Sequence, residues 1–414
     1  MNAWVTDPLV LARFVHYAAC VLAAGTAAFV VLAEPLAKSK ETDRLRRCWR
    51  AFIWIGGVMA ALSGAAWLAI VAANIVGTSV VAAVLNGGVW SVAGGTQFGL
   101  LTVSRIVLAL LLALPVWTDR ARLLPAFGIV VLIAPVGHAG AQVGFWGDVH
   151  LAADAAHLVA AAAWLGGLPA LAILLGLARR DPQTFGEPAR RITARFSWLG
   201  MAAVGTLLAT GIVNSWFLLS GPGDLLTTQY GCVLAVKIGL FAIMIAIAAV
   251  NRFRLTPRLY TSAALRTLRR NSLAEVLLGA GVLFLVAILG TLEPGSHQHA
   301  RAAVPDDAAF VHIHGDEAMA DVAIEPGRPG PIDILIHLAH EDLTDYAARA
   351  VHVELRPPEA DTAAITRDAK PASNGVWKVG GITLPRAGIW TVVLTITPRD
   401  GVIAVLDGPI VIAP

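Results

Sequence analysis

Apolar residues come in long unbroken runs through the first two-thirds of the chain and in short alternating runs through the last third. A bilayer core about 30 Å thick takes around 20 apolar residues of helix. Eight segments meet that length: 9–33, 51–76, 98–117, 122–138, 149–177, 196–219, 230–250 and 272–292. The fourth is the shortest. The fifth is long enough to tilt or to begin outside the hydrocarbon. Beyond Glu293 the pattern changes. Residues 295–309 are polar and read as a linker. From Phe310 onward short runs follow at 319–325, 331–338, 349–356, 376–383, 389–397 and 402–412. Turn signals such as Pro326-Gly327, Asn374-Gly375 and Asp400-Gly401 separate them. Short strands with regular turns predict an antiparallel, Ig-like β-sandwich, and about 105 residues suffice for a core of its own. The predicted fold is an all-α polytopic membrane bundle of eight transmembrane helices (1–294), the linker, and the sandwich (310–414).

Composition agrees with the pattern. Of 414 residues, 57% are hydrophobic and 14% charged, against about 25% charged in soluble domains. Mean hydropathy is +0.70. The run from Pro8 to Leu32 is too long for a signal-peptide core and has no basic stretch before it, so it reads as a retained first span. Cys20, Cys48 and Cys232 form no CxxC, which predicts neither a disulfide framework nor a thiolate metal site.

The net charge is only +3, so its placement carries the information. Lys and Arg crowd the loops after the first, third, fifth and seventh segments, as in Arg44, Arg46, Arg47 and Arg50, or Arg252, Arg254 and Arg258. The alternate loops, 77–97, 139–148 and 220–229, contain none. By the positive-inside rule the first set is cytoplasmic. That predicts a multi-pass protein of the bacterial inner membrane with its N-terminus and its C-terminal domain extracytoplasmic.

Ionisable groups inside spans are costly and by default mark function. His16, Arg105, His157 and Lys237 each lie seven or eight residues in from the outer ends of their helices, roughly 10–12 Å deep. His138 ends the fourth segment and His150 begins the fifth. His150, Asp154 and His157 are spaced i, i+4, i+7 and share one helix face. Two imidazoles and a carboxylate suit a divalent transition metal such as Cu(II), with His138 and His16 as further ligands. Other readings stand beside this one. A membrane histidine also serves simply to hydrogen-bond a neighbouring helix. Asp154 also reads as the ion-pair partner of Arg105 or Lys237, and those two cations would suit an anionic group such as haem propionates. Met59, Met201 and Met244 offer thioethers for Cu(I), but Met is also ordinary core filler.

Outside the membrane, His297 with His299 and His312 with His314 form two HxH pairs. Alternate residues of a strand face one way, so each pair could chelate a metal or simply be solvated. His337, His340 and His352 add imidazoles. No nucleotide-binding loop, paired catalytic carboxylates or nucleophile with an adjacent base is present, so the chain reads as neither an enzyme nor an ATP-driven pump. Membrane lipid, not nucleic acid, is the expected surrounding partner.

Several stretches resemble the copper resistance D (CopD/PcoD) family. The run from His157 through Trp164, Gly166 and Gly167 matches its HLxAAxxWLGGL signature. Gly137-His138-Ala139, Arg195 with Ser197, Thr210-Gly211, and Tyr230-Gly231 with Lys237 also resemble it, as do Asn251-Arg252, Pro257-Arg258 and Leu268 to Glu275. The resemblance spans most of 1–295. It implies an eight-helix membrane domain, copper uptake across the inner membrane, a periplasmic CopC-like copper-binding partner, and roles for Lys237 and Glu275. Glu325-Pro326-Gly327 and the stretch from Leu384 through Gly388 to Trp390 resemble a YtkA-like domain. No CopC-like sandwich precedes the helices. Copper transport or handling is the leading expectation. A haem-binding electron-transfer protein, with His16 and His157 as axial ligands, and a membrane-anchored envelope scaffold are the alternatives.

Overall fold

The computed structural model describes residues 4, 6–34, 39–137, 144–292, 305, 307–315, 318–339, 346–357, 363–373, 375–399 and 402–413. They form two compact units, a helical one of residues 1–140 and 149–293, and one of residues 141–148 and 294–414 that holds the strands.

In the helical unit every predicted apolar segment is helix. The elements are α1 Pro8–Leu32, α2 Lys40–Val76, α3 Gly88–Gly95, α4 Gln97–Ala113, α5 Leu123–Val131, α6 Gly144–Leu165, α7 Leu168–Arg180, α8 Pro182–Leu218, α9 Gln229–Val250 and α10 Ser262–Leu289. Among the described residues six helices are long and apolar enough to cross a membrane, with α6 and α7 counted as one. The third predicted segment is α4, and the stretch 77–97 read as a loop holds a further helix, α3, which meets α4 at 94° as a bent pair. The fourth is a short helix extended by one 3-10 turn, Leu123–Val136. The eight runs thus become six full spans, one broken span and one short helix.

Local chemistry explains the ends. Asp7 caps α1 by accepting from the Leu9 amide, with Pro8 in the first turn. Ser39 and Thr42 exchange hydrogen bonds as a capping box at α2. The α3–α4 bend comes from Thr96, whose extended backbone interrupts the helix while its hydroxyl accepts from Gly99.

Small residues set the packing, as expected where lipid removes the hydrophobic drive between helices. A Cβ on Gly25 of α1 would lie 2.1 Å from the Ala162 carbonyl oxygen and 2.4 Å from the Gly166 Cα. The Thr26 hydroxyl donates to the Gly166 carbonyl at 3.1 Å. Gly57 of α2 meets the Ala109 carbonyl of α4 in the same way, at 2.9 Å. The basic loops gather at one end of the bundle. Asp119, after α4, is ion-paired with Arg50 at 3.1 Å and Arg122 at 3.4 Å. Arg120 reaches Glu34, at the end of α1, at 2.7 Å.

The β unit is a two-sheet antiparallel sandwich. Its strands are β1 Ala309–His314, β2 Met319–Glu325, β3 Gly330–Ala339, β4 Ala348–Arg356, β5 Ile365–Asp368, β6 Lys370–Ser373, β7 Val376–Leu384, β8 Gly388–Pro398 and β9 Ala404–Ile412. One sheet has the order β1-β2-β3-β7-β6 and the other β5-β4-β8-β9. The six predicted strands are β2, β3, β4, β7, β8 and β9. Strands β1, β5 and β6 are additional. Alternate residues such as Val322, Ile334, Ile336, Val353, Trp390 and Leu394 fill the core between the sheets.

Candidate metal centre in the helical unit

Two histidine-bearing polar groups lie within the apolar helices, apart from the buried Glu275, which accepts from Asn251 at 3.0 Å. The first is built on α1. His16 is buried, and Gly64 of α2 leaves room for its ring: a Cβ there would stand 3.2 Å from the His16 Cε1. One guanidinium nitrogen of Arg105, from α4, lies 3.3 Å from Nε2 of His16. Arginine can only donate, so Nε2 accepts and Nδ1 carries the proton, which it gives to the Ala60 carbonyl at 3.0 Å. Arg105 also donates to the Thr102 hydroxyl at 2.7 Å and stacks 4.9 Å from the Trp67 ring centre. Arg13 lies 5.2 Å from the same ring. Both nitrogens of His16 are therefore engaged in contacts between the helices.

The second group is built on α6. His157 Nδ1 lies 2.9 Å from the Thr210 hydroxyl of α8. That hydroxyl gives its own hydrogen to the Thr206 carbonyl at 2.6 Å. The direction is thereby fixed: Nδ1 of His157 donates, and Nε2 keeps its lone pair. One helical turn before it, Asp154 accepts from the Asn214 amide at 3.1 Å. Asn214 is one turn beyond Thr210, so a single face of α8 positions both side chains. Lys237 of α9 acts electrostatically on both Asp154 and His157. Among the described residues no ion pair within 4 Å joins Asp154 to Lys237 or Arg105; the amide takes that place. His150 is buried, its ring stacked 4.6 Å from Phe217 of α8.

His157 and Asp154 are thus brought together with Lys237, while His16 and Arg105 form a separate group. His138 lies outside the described residues. Among those described, no three His, Cys, Asp or Glu side chains surround one point. Neutral partners on α8 are what the sequence reading misses: Thr210 accepts from His157 and Asn214 donates to Asp154, and their i, i+4 spacing is the signal that finds them. The methionines do not form a path: Met244 is buried in the core, whereas Met59 and Met201 are exposed on the helix surface.

Of the histidines after the helices, His297, His299 and His340 lie outside the described residues, as does the side chain of His314. His312 donates from Nδ1 to Asp321 of the neighbouring strand. His352 donates likewise to Asp368 at 2.8 Å.

Residues 1–148 match the family model for the copper resistance protein D-like N-terminal domain, and residues 190–289 the model for copper resistance protein D. Inner membrane protein YebZ of Escherichia coli (strain K12) is 33% identical over 292 residues, 68% of this chain and 97% of YebZ. The chain belongs to the copper resistance protein D family. Two other family relatives are shared over shorter stretches. Copper transport protein CutJ of Bacillus subtilis (strain 168) is 31% identical over 52% of this chain and 37% of its own length. Copper resistance protein D of Pseudomonas syringae pv. tomato is 31% identical over 39% of this chain and 55% of its own. No solved structure matches. The two family models bracket 149–189, the stretch that carries His150, Asp154 and His157.

Proposed function

We propose that this protein handles copper at the bacterial inner membrane and takes the ion up from the extracytoplasmic side through α6. Family membership supports copper as the cargo, as do relatives named for copper transport and copper resistance. The apolar helices and the likeness to an inner membrane protein support the location. The gathering of basic loops at one end supports an N-terminus and a β unit on the opposite, extracytoplasmic side. A periplasmic CopC-like protein is the expected donor.

One observation carries the reading. Thr210 orients His157 so that the imidazole offers Nε2, beside a carboxylate oriented by Asn214. Partners that fix the tautomer and angle of a ligating histidine are what a metal site needs. Neutral imidazole and carboxylate suit Cu(II). The protein ligands are few, and Lys237 competes with an arriving cation for Asp154. Such a site holds an ion weakly enough to release it, as passage demands. His150, about two turns before His157 on α6, is an earlier contact.

The test is copper accumulation in cells expressing wild type, His157→Ala, or the His150→Ala/His157→Ala pair at matched membrane abundance. Accumulation should fall to the level of cells without the protein. Accumulation equal to wild type overturns the proposal.

A further inference from the structure

From residue 251 to residue 274 the chain carries six arginines and no Asp or Glu. The end of α9 widens into a single π turn, Asn251–Leu255, and tightens into a 3-10 turn, Thr256–Arg258, before α10 begins at Ser262. Arg252 donates to the Ser197 hydroxyl of α8 at 3.2 Å and lies over the Trp198 ring, 4.6 Å from its centre. Arg258 donates to the Arg254 carbonyl at 3.4 Å, which keeps those two side chains neighbours. Arg254 and Arg258 are exposed, as are the aromatic rings of Trp198, Phe253 and Tyr260.

Two properties set this patch apart from the other basic surface at the same end of the bundle. The first is uncompensated charge. Arg50 and Arg122 meet Asp119, and Arg120 meets Glu34. Among the described residues no carboxylate lies within 4 Å of Arg252, Arg254 or Arg258. The second is depth. Trp198 and Trp216 are both exposed on α8 and stand 18 residues apart. That is about five turns, so they share a face, and about 27 Å of rise, close to the roughly 30 Å of a hydrocarbon core. Tryptophan collects at the two interfaces of a bilayer. Trp198 therefore marks one boundary, and Arg252, seated on its ring, stands at the level of the headgroups. Between the two tryptophans the same side of α8 exposes Met201, Leu208 and Ile212, an apolar surface for acyl chains.

We propose that Arg252, Arg254 and Arg258 bind the phosphate of an anionic phospholipid whose chains lie along α8. Guanidinium groups present paired N–H donors that match phosphate oxygens. Ser197 and Trp198 hold Arg252 in place before the lipid arrives, so little freedom is lost on binding. A zwitterionic lipid brings its own cation to the phosphate, whereas an anionic one leaves its charge for the arginines. Exposed aromatic rings and an apolar helix face continuing from the patch fit a lipid, with head and tail, better than an acidic protein surface. The sequence shows only a basic loop; the contact of Arg252 with α8 gives that loop a headgroup seat.

The proposal does not depend on copper, and its test contains none. The full-length protein is purified in detergent and titrated with dioleoyl phosphatidylglycerol or dioleoyl phosphatidylcholine, and the bound lipid is counted by native mass spectrometry. Phosphatidylglycerol should bind at least about tenfold more tightly. Each arginine near a headgroup is worth about fivefold, so Arg254→Gln/Arg258→Gln should weaken phosphatidylglycerol by tenfold or more. Arg254→Lys/Arg258→Lys, which keeps the charge, should retain most of the binding. Arg120→Gln, whose partner is Glu34, should leave it unchanged. Circular dichroism checks that each variant keeps its helices. Equal binding of the two lipids, the result expected of a patch built for an acidic protein, overturns the proposal. So does phosphatidylglycerol binding that survives the double Gln variant, or that millimolar inorganic phosphate displaces.

Discussion

His157 gives its Nδ1 proton to Thr210, 2.9 Å away on the neighbouring helix. Thr210 can take it because its own hydrogen is committed to the Thr206 carbonyl. Replacing Thr210 with Val keeps the shape and removes the acceptor. Copper accumulation should drop about tenfold or more, the usual cost of losing such a support. Thr210→Ser, which keeps the hydroxyl, should restore most of it. Accumulation by the Val variant equal to wild type would show that the tautomer is irrelevant.

The contact of Arg105 with His16 predicts a stability effect. His16→Leu fills the space beside Gly64 but leaves the Arg105 guanidinium short of one acceptor in an apolar setting. The expected loss is about 1–3 kcal/mol, read as a lower thermal unfolding temperature in detergent. A variant as stable as wild type would mean that Trp67 and Thr102 alone suffice for Arg105.

Gly25 has no room for a side chain. Gly25→Val drives a branched group into the Ala162 carbonyl and the Gly166 backbone. Overpacking of this kind costs about 1–3 kcal/mol or more. The folded yield should fall sharply, as measured by size-exclusion of detergent extracts. Gly94→Ala, at a position where a Cβ meets nothing within 4 Å, should leave the yield unchanged.

Asp181 caps α8 by accepting from the Thr184 amide. That side chain and backbone together hold its carboxyl below the ordinary value of 3.8. A lowered pKa means the cap stabilises fully above that ordinary value and stops stabilising as pH falls through the folded-state value. The difference in unfolding temperature between wild type and Asp181→Ala should be constant near neutral pH and vanish in acid. A difference independent of pH would remove the cap from the explanation.

The sequence makes the helices legible because membrane spans must be long and continuous. It does not show α3, which lies in the stretch 77–97 read as a loop and is set apart from α4 by the extended backbone of Thr96. It puts His16 and His157 at equal depth but cannot separate them. Helices that are apolar all round carry no stripe to say which face turns where. The link between Asp154 and Asn214 needs two helices to be aligned, as the pair of His312 with Asp321 needs two strands in register. Strands β5 and β6 are missed because four residues are too few for alternation to register.

The contact of Gly25 with Gly166 also limits how α6 can move. Where two backbones touch without intervening side chains, neither helix can slide past the other, and the contact behaves as a fulcrum. His157 lies nine residues from Gly166, about 13 Å along the helix. A tilt of roughly ten degrees about that point swings its imidazole by about 2 Å, a bond length to a metal. In the proposed function, gripping and releasing an ion at α6 requires leverage, not a sliding piston.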